Sequence, residues 1–449
     1  MAFDNRDSID FGKEKIAHLF NALFIPTLLG MLCNVTFILA DGIFVGRGVG
    51  PNGLASVNLA SPIMLLITGL GMMFGIGSSV VAAIHLGRNN EKAARINVTQ
   101  GYIASLFFAA IIAVLLYTCP DFFLRLIGTS ETLLPLVHEY LLWFIPTCLL
   151  LMVQIVGEFV IRLDGAPKYA MFANIVPAVA NIILDYIFIF PLHLGLKGAA
   201  LATTIGTGFG AGMTVYYMFR KSKKLRFYKL KVTSTSMRLG LRNVSYMMRV
   251  GFSGFLGELA GSVTALAGNV AFGKYVGDAG IAAFSVICYI VPVVFNVYYA
   301  VSTSAQPIIS FNYGAKQHGR VGKTFRFSLR ISLIFAAVVT VAAVLFAPQI
   351  VSAFLIPGTE PFRLAAIGLP LYAIGFVLIG FNVTAIGYFQ SIEHNLISTI
   401  LVSLRGLFLL IATFALLPHW FGVVGLWIAV PVTEAVTAVC AGAFLRWHK

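Results

Sequence analysis

The chain has 449 residues, 59% of them apolar and only 11% charged, with a mean hydropathy of +0.91. A soluble domain carries about 25% charged residues and 45–50% apolar ones, so the composition excludes a water-soluble globular protein and indicates a polytopic membrane protein. The formal net charge of +14 would suggest nucleic acid in a soluble chain; in a membrane protein it is first tested against loop topology.

The first fifteen residues are polar and mixed in charge. The apolar run after them is too long for a signal-peptide core and ends without a small-residue cleavage pattern. It is expected to remain as a spanning helix. Stretches able to cross about 30 Å of hydrocarbon recur twelve times, near 16–41, 54–80, 96–118, 135–161, 169–191, 197–219, 247–272, 280–309, 326–347, 363–388, 395–417 and 423–445. They are rich in small residues, which let membrane helices approach closely, and several contain proline (Pro26, Pro62, Pro146, Pro177, Pro292, Pro307, Pro370, Pro431). The five scattered cysteines match no zinc or disulfide spacing and read as small core residues.

With both termini cytoplasmic, 25 of the 31 basic residues fall in cytoplasmic segments. Five (Arg47, Arg125, Lys197, Lys274, Arg363) lie outside, and Arg405 lies within a span. This asymmetry fixes an orientation and accounts for the charge without nucleic acid. Ten of the basic residues crowd into 220–249, which reads as a solvated loop facing anionic lipid.

Shifting the chain by 227 residues lays Gly46, Val49, Gly50, Gly53 and Ala55 on Gly273, Val276, Gly277, Gly280 and Ala282. In the same register Gly87 falls on Gly314, and Pro191, Gly195 and Gly198 fall on Pro418, Gly422 and Gly425. Six spans separate equivalent points, so the halves enter the membrane in the same sense. The expected fold is all-α, with twelve transmembrane helices in two six-helix lobes, 1–219 and 247–449, joined by a basic cytoplasmic loop at 220–246. Parallel repeats of this kind are the architecture of alternating-access transporters.

Ionisable groups inside a bilayer are costly and mark function by default. In the first half, Asp41 lies near the outer end of the first span, and Asn181 and Asp185 stack four apart on one face of the fifth. Thr203 sits at a similar depth on the sixth. Two carboxylates, an amide and a hydroxyl suit a hard monovalent cation or an exchangeable proton. In the second half, Arg405 and Glu434 fall near mid-membrane on consecutive spans and read as a mutually neutralising pair. Glu258 has no obvious cationic partner, which makes it the candidate for attracting a cationic substrate or binding a proton. Glu158 and Arg162, spaced i,i+4, read as an ordinary helical ion pair. There is no P-loop, no HExxH and no G-x-S-x-G, so neither ATP hydrolysis nor a common hydrolase is signalled. The chain does not read as an enzyme.

The segment from Ala40 to Ile63 (ADGIFVGRGVGPNGLASVNLASPI) resembles the first-span signature of the MATE (multidrug and toxic compound extrusion) transporters. The likeness continues in RLDGAPKYAM from Arg162, NIILD from Asn181 and GAALAT from Gly198. In the second half, GFLGELAGS around Glu258 and QPIISFNYGA from Gln306 are similar to the MepA-like branch. The resemblance implies antiport of cationic or neutral amphipathic drugs or toxic metabolites against Na⁺ or H⁺, with no cofactor. The chain is expected to be a multi-pass protein of the cell membrane with lipid around it, and nothing in the sequence demands more than a monomer. The resemblance also implies a cation site at Asp41, Asn181, Asp185 and Thr203, and a first-span proline, Pro26, linked to bending. Some relatives carry a second carboxylate in the tenth span; here that span offers only Asn382 and Thr384. The alternative reading is a flippase or exporter of lipid-linked precursors or metabolites, which calls for a cationic central groove that this mid-membrane inventory does not supply.

Overall fold

A computed structural model of the chain describes residues 9–126, 129, 131 and 133–447. All regular secondary structure among them is helical: α1 (Ile16–Gly48), α2 (Pro51–Gly87), α3 (Glu91–Thr118), α4 (Pro120–Leu126), α5 (Leu134–Leu163), α6 (Pro167–Ile189), α7 (Gly195–Tyr216), α8 (Ser234–Val276), α9 (Asp278–Gly314), α10 (His318–Leu345), α11 (Ala347–Ser352), α12 (Glu360–Ser391), α13 (Asn395–Ser403) and α14 (Leu409–Trp447). Short π-helical turns follow α7 at Tyr217–Lys221 and α13 at Leu404–Phe408. Ten helical runs among the described residues are long and apolar enough to cross a membrane. Gly422, at φ +57 and ψ −136, divides the last of them. With the shorter, glycine-rich α7, this gives the twelve crossings expected.

The helices outrun the apolar stretches that reveal them. At 1.5 Å per residue the 37 residues of α2 reach about 55 Å, well beyond the hydrocarbon. The connection from α1 to α2 shrinks to Val49 and Gly50. Hydropathy marks only the part of a helix that meets lipid, whereas backbone hydrogen bonding carries it onward. The cysteines are less uniformly internal than expected: Cys148 is buried, but Cys119 at the end of α3 is exposed.

The chain divides into two compact units, described separately. The first takes in the chain up to Glu14, Asn21–Phe255 and Ser310–Lys316; the second takes in Lys15–Phe20, Leu256–Ile309 and the chain from Gln317 onward. In the first, one apolar cluster gathers Val45, Ile63, Tyr140, Phe144 and Leu196, and another Ile76, Val80, Phe159, Met247 and Val250. There α2 and α8 touch backbone to backbone, because Gly77 against Met247 and Gly251 against Met73 leave no room for a Cβ. In the second, Phe272 stands edge-on to the buried Trp427 at 4.7 Å, and Gly368 makes way for the indole. The internal repeat is written into the backbone. Gly50 (φ +97) pairs with Gly277 (φ +78), Gly195 (φ +56) with Gly422 (φ +57), and Asn89 (φ +56) with Lys316 (φ +58).

The basic segment after α7 is not a loose solvated loop. The Asp164 carboxylate accepts hydrogen bonds from the backbone N–H groups of Lys223 (3.1 Å), Lys224 (3.0 Å) and Leu225 (3.0 Å), and from the Tyr217 hydroxyl (2.8 Å). Further on, the Tyr228 N–H donates to the Thr99 hydroxyl at 2.9 Å, and Leu225 is fully buried. The segment's main chain is therefore tied to α3 and α5, with most of its basic side chains exposed. Residues 234–246, expected as loop, form the first turns of α8.

Candidate functional site

The polar cluster of the first unit depends on how closely α6 and α7 approach. A Cβ on Gly206 would lie 3.0 Å from the Pro177 carbonyl and 3.0 Å from the Asn181 Cβ, and one on Gly210 would collide with Gln154. Small residues one and two turns along α7 thus bring its backbone against α6. Thr203 is thereby carried to Asn181, whose side-chain amide donates to the Thr203 hydroxyl at 3.2 Å; that hydroxyl donates in turn to the Ala199 carbonyl at 3.0 Å.

With its amide nitrogen engaged, Asn181 is left with a buried carbonyl oxygen that has no donor. One turn on, both oxygens of the fully buried Asp185 carboxylate are also without a donor, as is one oxygen of Asp41 on α1. Asp41 and Asp185 lie within hydrogen-bonding range of each other, but two ionised carboxylates have no proton to share. Among the described residues, then, four buried acceptor oxygens from three side chains gather without a donor. Leaving such groups unsatisfied costs about 1–3 kcal/mol each, more when charged, and a small cation or a proton is what satisfies acceptors only. Sequence reasoning missed Tyr140 of α5. Its buried ring stacks on Phe144 at 5.6 Å and lies near both carboxylates. No periodicity in α5 marks that tyrosine apart from its neighbours.

Pro26 is buried in α1, which continues as helix on both sides of it. It removes the bond that its N–H would give to the Ala22 carbonyl. Fifteen residues separate it from Asp41, about four turns.

The other buried charges take different forms. In the second unit Arg405 grips Glu434 with two nitrogens, Nη2 to Oε1 at 2.6 Å and Nε to Oε1 at 3.0 Å. Asn382, which the sequence offered only as the missing carboxylate of the tenth span, donates to the Glu434 Oε2 at 2.6 Å and to its main-chain carbonyl at 2.9 Å. Glu258 of α8 is partly buried and has no hydrogen-bond partner among the described residues, and Gly257 and Gly261 beside it face open space. Glu158 and Arg162 do not form the ion pair expected. The guanidinium Nε donates to the main-chain carbonyl of Glu158 at 3.1 Å and its plane lies over the Phe159 ring, while Gln154 donates to the Glu158 carboxylate at 3.2 Å. The i,i+4 spacing allows a pair, but a ring at i+1 offers the guanidinium another seat.

A family model, MatE, matches this chain twice, over residues 26–187 and 255–416. The chain belongs to the MatE family. The two matches fall on the two halves of the internal repeat. Among relatives of this MATE transporter, a FAD transporter from Shewanella oneidensis is 24% identical over 428 residues, covering 92% of this chain and 91% of that protein. The multidrug export protein MepA from Staphylococcus haemolyticus is 25% identical over 428 residues, covering 93% and 90%. The fold matches an outward-facing MATE transporter of the MOP superfamily with a TM-score of 0.90 at 24% identity, over 98% of both chains. This MATE chain is a multi-pass transporter and not an enzyme.

Proposed function

We propose that the protein is a secondary exporter of cationic or neutral amphipathic compounds, driven by inward movement of Na⁺ or H⁺ through the Asp41–Asn181–Asp185–Thr203 cluster. The observation that carries this reading is the set of buried acceptor oxygens with no donor, centred on two facing carboxylates. A cation or proton entering the cluster offsets one of the two negative charges, relieves their repulsion and draws α1 toward α6. Pro26, with one backbone hydrogen bond fewer, gives α1 a place to bend as Asp41 moves. The two repeats alternate access, with both termini in the cytoplasm of a monomer in the cell membrane. Glu258, without a partner of its own, attracts cationic cargo. The Arg405–Glu434–Asn382 group is structural, since its charges neutralise each other.

A second reading, export of a phosphate-bearing metabolite, draws on the relative named as a FAD transporter. The first is favoured because Arg405, the basic side chain that the sequence places near mid-membrane, already spends its charge on Glu434. Efflux measured in proteoliposomes, with Na⁺ and pH gradients imposed separately and with ethidium or FAD as cargo, tests both readings. Ethidium efflux under one gradient supports the first, and FAD efflux alone supports the second.

A further inference from the structure

The tethered segment after α7 builds an open cavity of about 340 Å³ lined by Arg95, Arg220, Lys221, Ser222, Lys223 and Arg226. Five of its six lining side chains are basic. Glu91 engages one of them, its Oε2 standing 3.4 Å from Arg95 on the exposed face of α3. Asp164, whose oxygens accept from backbone N–H groups and the Tyr217 hydroxyl, adds a second negative charge beside the cavity, and the five basic side chains still outnumber the two carboxylates. The remaining lining residue is the most telling. Ser222 is 3% exposed, and its hydroxyl is buried without a hydrogen-bond partner. A buried hydroxyl without a partner, set among cations, is a donor waiting for an anionic oxygen.

The surroundings identify which anion. The cavity lies just beyond the end of a spanning helix, where α7 gives way to its π-helical turn. Tyr216 and Phe219 beside it are exposed, as aromatic side chains are at the level of lipid headgroups. Further along α3 and α7, Ile103, Phe107, Ile205 and Phe209 present an exposed apolar face to acyl chains. A soluble anion would use the cations alone, whereas an anionic phospholipid uses the cations and the apolar face together.

We propose that this cavity is a binding site for the phosphate of an anionic phospholipid headgroup, with Ser222 and the guanidinium groups of Arg220 and Arg226 as its donors. Under the orientation proposed above, the lipid belongs to the cytoplasmic leaflet; the site itself does not depend on which cargo or coupling ion the transporter uses. With the segment tethered to Asp164, the bound lipid is a fastener within the first unit, between α3 and the segment leading into α8. Lys274 and Arg363, basic residues of the second unit that do not line this cavity, provide a matched control.

The test is lipid retention by the purified full-length protein in detergent, read by native mass spectrometry, with thermal unfolding read in parallel. Phosphatidylglycerol, phosphatidylcholine and inorganic phosphate are the probes. The expected result is preferential retention of phosphatidylglycerol and a raised Tm. In Arg220→Gln/Arg226→Gln the apparent affinity should fall by about thirtyfold, since each lost cation near a lipid surface is worth about a factor of five. Ser222→Ala should weaken it further, and Lys274→Gln/Arg363→Gln should leave it unchanged. The Tm without added lipid reports whether each variant is folded. Equal phosphatidylglycerol retention by wild type and the double variant overturns the assignment. So does an equal response to inorganic phosphate, which would mark a soluble-anion site. A double variant that fails to fold is replaced by the charge-retaining Arg220→Lys/Arg226→Lys with Ser222→Ala, whose unchanged retention would equally count against the site. Loss of transport with retention intact would bear on the exporter reading and not on this one.

Discussion

Asp41 on α1 and Asp185 on α6 face each other within hydrogen-bonding range, and neither Asp185 oxygen has a donor among the described residues. Two such carboxylates are comfortable only with a proton or a cation between them. Their chemistry therefore ties the state of α1 to the ion occupying the first unit.

The first prediction concerns that ion. A ligand bound only by the folded protein, at about 100 times its Kd, adds about 2.7 kcal/mol of stability. The wild-type Tm in detergent should rise with Na⁺, or with falling pH if the proton is the coupling ion. In Asp41→Asn/Asp185→Asn that response should vanish, while the Tm without cation stays level or rises because like charges have been removed. A double variant that responds to cation as wild type does would place the binding elsewhere.

Gly206→Val should force α7 away from α6, since its first added atom already meets the Pro177 carbonyl and Asn181 at 3.0 Å. Overpacking of this kind costs about 1–3 kcal/mol, and the Thr203–Asn181 hydrogen bond should be lost with it. Thermal unfolding together with cation titration distinguishes the two effects. An unaltered Tm and cation response would show that the close approach is not needed.

In the second unit, Glu434→Gln should be severe, because it leaves Arg405 buried without its counter-charge at a cost of about 3–5 kcal/mol. The paired change Arg405→Met/Glu434→Leu should recover much of the loss. Chemical or thermal unfolding of the single and double variants checks this. If the double change is as damaging as the sum of the singles, the two charges are not coupled, which would contradict mutual neutralisation.

Asp164→Ala should release the segment it holds, because three backbone N–H groups and a tyrosine hydroxyl lose their acceptor at once. Limited trypsin digestion is the readout. Cleavage after Lys223, Lys224 or Arg226 should be slow in wild type and fast in the variant, and equal rates would contradict the tether.

The spans and the repeat were legible because both are carried by local chemistry. Apolar length marks a crossing, and Gly50 with Gly277, or Gly195 with Gly422, mark turns whose positive φ glycine accommodates. Asn181 and Asp185 could be placed on one face because helical geometry fixes i,i+4. What stayed hidden depends on contacts between helices. Nothing in the sequence announces that Tyr140 stands by the carboxylates, that Asn382 completes the Arg405–Glu434 group, or that Asp164 anchors a segment about sixty residues away. The ion pair expected of Glu158 and Arg162 failed for a related reason. Spacing establishes what can meet, but the neighbouring Phe159 ring and Gln154 amide decide what does.

The measurement closest to the central claim is gradient-driven efflux of a cationic dye from proteoliposomes containing wild-type protein or Asp41→Asn/Asp185→Asn. Na⁺ and pH gradients are imposed in turn. The account predicts that one of the gradients drives efflux in the wild type and that the folded double variant shows none above protein-free vesicles. Full gradient-driven efflux by the double variant would contradict it.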